Sequence, residues 1–117
     1  MRIRACALAL ELVLPLGLLA GCVAALPSVP PPGIAFRPDP GGLAVLPSGL
    51  RMDFGRAPEG MIPIVERALG RGEALPLAGC PPEIAARIAW GGLELFFTGE
   101  RFVGWRQGAA RAGDTCG

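Results

Sequence analysis

From Ala86 onward, apolar and polar positions alternate through three short runs separated by two-residue turns. Gly91-Gly92 and Gly99-Glu100 are pairs of the kind that close β-hairpins. They predict three antiparallel strands, over about Ala86 to Trp90, Leu93 to Thr98 and Arg101 to Arg106. Tight turns fix register, so the faces follow by counting in twos. One face collects Ile88, Trp90, Leu93, Leu95, Phe97 and Phe102, which is a core face. The other collects Arg87, Glu94, Phe96, Thr98, Arg101, Val103 and Trp105.

Upstream, Leu43 to Leu46 and Leu50 to Phe54 flank the turn signal Pro47-Ser48-Gly49, which predicts a further hairpin. Leu50, Met52 and Phe54 alternate with Arg51 and Asp53, the period of a half-buried strand. Pro58 and Glu59 open a helix that Gly70 closes. Met61, Val65 and Leu69, with Ile62 beside them, form its apolar stripe. Pro63 must sit within the first turn or kink the helix, so the regular part starts near Gly60. The fold class implied is α+β: one short helix on a three-stranded meander, with an N-terminal hairpin.

Ala24 to Pro40 carries six prolines and reads as an extended tether rising about 3.1 Å per residue. Before it, Arg2 and Arg4 precede the uncharged stretch Leu12 to Leu19. A basic head, a short apolar stretch and small residues at the cut make up a secretory signal. Glu11 belongs to the head, because a carboxylate at the centre of an inserting helix costs about 2.5–3.5 kcal/mol. An uncleaved span from Ala5 to Leu26 is the competing reading, just long enough for a bilayer.

Leu19-Ala20-Gly21-Cys22 resembles the lipobox of bacterial lipoproteins. The resemblance implies cleavage before Cys22, thioether lipidation and palmitoylation there, and anchoring by more than one acyl chain. It divides the chain into a signal peptide (1–21), a lipidated Pro-rich tether (22–42) and a small α+β domain (43–117). Val23 stands where an Asp commonly retains such proteins in the inner membrane. The expected location is therefore the outer membrane, facing the periplasm, with inner-membrane anchoring as the alternative.

Removal of Arg2, Arg4 and Glu11 with the leader leaves nine arginines against nine carboxylates. A neutral chain without a clustered basic face argues against nucleic acid. His, Lys, Tyr and Asn are absent. The missing His removes the commonest general base and the commonest metal ligand. Export leaves Cys80 and Cys116 as a pair in an oxidising compartment, where a structural disulfide is expected. A loop of that length gives about 4 kcal/mol in the chain-entropy picture. Their spacing does not match the C-x-x-C pattern of redox-active thiols.

The chemistry-bearing motifs are weak. Asp53-Phe54-Gly55 and Ala57-Pro58-Glu59 mimic two kinase signatures, yet a single residue separates them and the chain has no Lys. Gly70-Arg71-Gly72 starts a dinucleotide-like string that fails at Leu75. Asp53, Glu59, Glu66, Glu83, Glu94 and Glu100 sit where solvated charges belong, and the Ser and Thr residues have no local base. No metal site or cofactor is expected.

Asp53-Phe54-Gly55-Arg56-Ala57-Pro58, Gly79-Cys80, Trp90 and Arg101-Phe102-Val103-Gly104-Trp105-Arg106-Gln107 resemble a family of small exported bacterial proteins without established activity. Some look-alikes carry an aspartate-semialdehyde dehydrogenase name. Such an enzyme needs a nucleotide-binding domain and a catalytic Cys served by His, which these residues do not provide. A helix followed by a three-stranded meander is also similar to the small lipoprotein of the outer-membrane barrel-assembly machinery, by fold alone.

Two roles follow as expectations. The first is a non-catalytic envelope lipoprotein whose mixed face (Arg87, Phe96, Arg101, Val103, Trp105) binds a partner protein, since Trp and Arg dominate interface hot spots. On that face the hairpin or the C-terminal tail is the competing cover, and Trp105 between Arg101 and Arg106 the competing cation–π site. The second is a periplasmic ligand or inhibitor module, with a pocket between sheet and helix for a small apolar molecule.

Overall fold

The computed structural model describes residues 33–117. The leader, the Cys22 lipidation site and the first part of the tether lie outside the described residues. In chain order the elements are β1 (Ala35–Asp39), β2 (Gly42–Leu46), β3 (Leu50–Asp53), α1 (Pro58–Leu69), β4 (Glu73–Ala74), β5 (Ala86–Trp90), β6 (Leu93–Phe97), β7 (Phe102–Gln107) and β8 (Ala110–Gly113). β1-β2-β3 form one antiparallel sheet, and β4-β5-β6-β7-β8 form a second. One helix and two sheets fit the broad α+β class, but the arrangement differs from the expected one. The meander is the centre of a five-stranded sheet, and the N-terminal hairpin is a three-stranded sheet.

The added strands have weak local signals. β1 lies inside the stretch read as tether, so the folded part reaches back beyond Leu43. Its Pro38 is tolerated because β1 is an edge strand, paired to β2 alone. β8 returns along β7 through a Gly108-Ala109 turn that leaves Gln107 opposite Ala110.

Pro58 occupies the start of α1, where its missing N–H costs nothing, and Ala57 before it is extended. Pro63 lies inside the helix, deeper than its first turn. Its ring removes one backbone bond on the solvent side, where the freed carbonyl meets water, and the helix continues to Leu69. At the other end Gly70 (φ 90°) donates its N–H to the Glu66 carbonyl at 2.8 Å. The apolar stripe is shorter than expected, with Met61 and Val65 buried but Leu69 45 % exposed.

The main core is one cluster. Leu43, Val45 and Met52 of the first sheet and Met61 and Val65 of α1 meet Trp90, Leu93, Leu95, Phe97, Phe102 and Trp105 of the second. Phe102 packs against Phe54 and Phe97, with ring centroids 5.0 and 5.7 Å away. Both indoles also act as ties between elements. Trp90 Nε1 donates to the Gly70 carbonyl and Trp105 Nε1 to the Asp39 carbonyl, each at 2.8 Å. Buried indole N–H groups need such partners.

Trp105 therefore belongs to the core face, which corrects the face counted from the turns. The Gly99-Glu100 turn does set Phe97 opposite Phe102, but the register then shifts, so that Phe96 faces Gly104 and Leu95 faces Trp105. Val103 is the extra residue of a β-bulge, and a bulge inverts the alternation beyond it. Gly104 permits this bend. A Cβ there would strike the Asp114 carbonyl oxygen.

Candidate functional site

The expected partner face is the far side of β5-β6-β7, and the structure divides its residues. Phe96 and Val103 remain on that side, in a second apolar cluster with Ile84 and Cys116. Trp105 is on the opposite side, and Arg101 sits in the exposed hairpin turn, its N–H bonded to Thr98 Oγ1 at 3.1 Å. Phe96 is 0 % and Val103 9 % exposed, so no aromatic strip is open to a partner.

What covers them is residues 114–116 together with the segment carrying Cys80 and Ile84. Cys116 is bonded to Cys80 and lies buried beside Phe96 and Val103. Asp114 N donates to the Val103 carbonyl at 2.8 Å, and Arg106 Nη1 donates to the Cys116 carbonyl at 3.0 Å. The tail is thus seated by one main-chain bond, one arginine side chain and the disulfide, next to the bulge that makes room for it.

A charged frame surrounds this seat. Glu94 accepts from Arg87 Nε at 3.1 Å and from Arg106 Nη2 at 3.2 Å. Both guanidinium carbons lie over the Phe96 ring, 5.9 and 5.8 Å from its centroid. The cation–π site is therefore at Phe96, where the sequence suggested Trp105. Glu94 is half-buried between two cations, whereas a solvated charge was expected there. Arg87 also donates to the Pro76 carbonyl at 3.3 Å, so the frame reaches the loop before Cys80.

A second polar cluster lies on the outer face of the first sheet. Arg51 pairs with Asp39 and, at 2.9 Å, with Asp53. Hydrogen bonding from Arg51 holds the Asp39 carboxyl down at about 2, and the same bond from Asp39 raises Arg51 further above its ordinary value. With both Asp39 and Asp53 satisfied by a cation, this cluster holds strands together and offers no free acid–base pair.

The space between α1 and the second sheet is filled by the fully buried Met61, Val65, Leu95, Phe97 and Phe102. A cleft of about 420 Å³ lies elsewhere, against the end of α1, lined by Leu69, Arg71, Glu73, Ala89, Trp90 and Gly91. Among the described residues, no group of three or more His, Cys, Asp or Glu side chains is gathered to hold a metal ion. No helix among them is long and apolar enough to cross a membrane.

No protein-family model matches this chain, and no curated protein or solved structure is measurably similar to it.

Two signals could have exposed the closed face from sequence. Gly104 interrupts a strand run, which marks a bulge or a close backbone approach. Cys116 follows the last predicted strand by ten residues, so a bridge to Cys80 brings residues 107–116 back onto the sheet region.

Proposed function

We propose that this chain is an exported bacterial lipoprotein, acylated at Cys22 and held in the outer membrane on the periplasmic side. Its folded unit is a non-catalytic partner-binding or structural module. The observation that carries this reading is the Cys80–Cys116 bond, because such a bond persists in compartments where thiols stay oxidised. The lipobox-like Leu19-Ala20-Gly21-Cys22 supports it independently. An envelope partner then meets surfaces other than the Phe96 face while the tail is bonded down.

Metabolic labelling with a fatty acid tests the reading. Label should enter the wild-type chain and vanish in Cys22→Ser. A wild-type chain that takes no label, or a Cys22→Ser chain that still does, overturns it.

The cleft beside Trp90 favours one second reading, a periplasmic small-ligand module. Native mass spectrometry of protein extracted from membranes should then show added mass, and a clean apo mass excludes it.

A further inference from the structure

We propose that the Cys80–Cys116 bond is a latch: it holds residues 114–117 as a removable cover over the Phe96–Val103 face, and a dithiol reductant opens that cover while the main core stays folded. This inference stands on the folded unit alone and is independent of acylation at Cys22.

The separability of the two apolar clusters motivates it. Helix and first sheet pack on one side of the five-stranded sheet, and neither contributes a residue to the cluster around Phe96. Detaching the tail removes Cys116 from that second cluster and leaves every member of the main one in place. The tail's remaining ties are few. They are the Asp114 and Arg106 bonds to backbone and a bond from Arg111 Nη1 to Thr115 Oγ1 at 3.3 Å. Both bridged cysteines lie outside helix and strand, Cys80 in a turn closed by its N–H on the Leu77 carbonyl and Cys116 beyond β8. Few ties and no place in a ladder are the marks of a segment that opens locally.

Reduction has a defined entry. Cys116 is 1 % exposed, whereas Cys80 is only half-buried, so a thiolate reaches the Cys80 sulfur first. A bond forms from the reductant to that sulfur, the S–S bond breaks, and Cys116 leaves as a thiolate that takes a proton. The reductant's second thiol then displaces Cys80 as its thiol. The reductant ends as a disulfide, and two electrons and two protons have passed to the protein pair. The face then uncovered is an apolar strand surface flanked by Arg87 and Arg106. Its seat is shaped for the tail itself: an extended segment with a small buried side chain and a carbonyl for Arg106.

Hydrogen exchange by mass spectrometry on the full chain in mild detergent, with and without dithiothreitol, tests this, with tryptophan emission followed in parallel. Trp90 and Trp105 both lie in the main core, so their emission reports on that core and not on the tail. Reduction should speed exchange in residues 114–117 by at least about tenfold, with β5, β6 and α1 protected and emission unshifted. Cys80→Ser with Cys116→Ser should reproduce this without reductant. Unchanged exchange in the tail overturns the proposal. So does protection lost throughout together with red-shifted emission, because the bond is then a staple of the whole fold.

Discussion

One side of the five-stranded sheet meets a helix and a second sheet; the other meets the last residues of the chain and the short segment carrying Ile84. The first side is closed by bulk. Phe97, Phe102, Leu95, Met61 and Val65 are all fully buried there, and each large apolar side chain contributes about 1.5–3 kcal/mol. The second side has too few apolar residues to close itself. It uses a covalent bond, two arginines over one ring and a carboxylate between them. Burial works in any compartment, but a disulfide works only where thiols stay oxidised. Under the proposed reading, export is what keeps the far face closed.

The largest effect should come from the bulky side. Phe102→Ala should destabilise by about 3–5 kcal/mol in urea denaturation, since it empties the centre of the main core. Phe96 is buried to the same degree, yet Phe96→Ala should cost less than Phe102→Ala, because the tail can settle into the space. Equal losses would mean that the two sides form one cooperative core. Next, Cys80→Ser with Cys116→Ser should lower unfolding stability by up to about 4 kcal/mol and leave the near-ultraviolet signal of the tryptophans in place. A loss of that signal would merge the two regions.

Smaller changes sharpen the same contrast. Gly104→Ala puts a methyl group against the Asp114 backbone and should cost about 1–3 kcal/mol, with faster reduction of the disulfide as its local signature. At the polar cluster, Asp39 has its folded value lowered to about 2 by the hydrogen bond from Arg51. A lowered carboxyl stabilises the fold above its unfolded value, so this contribution is complete above about pH 4 and is lost as pH falls towards about 2. Urea midpoints between pH 5 and 2.5 should fall less steeply in Asp39→Asn. At the bottom of the scale, Leu50→Ser at a 69 % exposed position should move stability by less than about 0.5 kcal/mol.

Much of the second sheet was legible because its signals are local. Gly91-Gly92 and Gly99-Glu100 place β5, β6 and β7 within a residue or two of where they lie. Pro58 and Gly70 likewise bound α1. The faces were legible only up to the bulge at Val103, because counting in twos assumes an uninterrupted ladder. That one residue moved Trp105 from the expected partner face into the core. β1 was hidden by its prolines, which favour an extended tether until an edge-strand role is considered. β8 was hidden by composition, since Ala110-Arg111-Ala112-Gly113 has little intrinsic strand preference and pairs through β7. The cover over Phe96 depends on contacts between distant parts of the chain, which Gly104 and the Cys80–Cys116 pair signal only indirectly.

The most direct single measurement is the intact mass of the protein extracted from bacterial membranes without reductant. The expected mass begins at Cys22, carries acyl chains there, and lacks two hydrogens at the Cys80–Cys116 pair. A mass that begins at Met1, or one with both of these thiols free, would contradict an exported, covalently closed module.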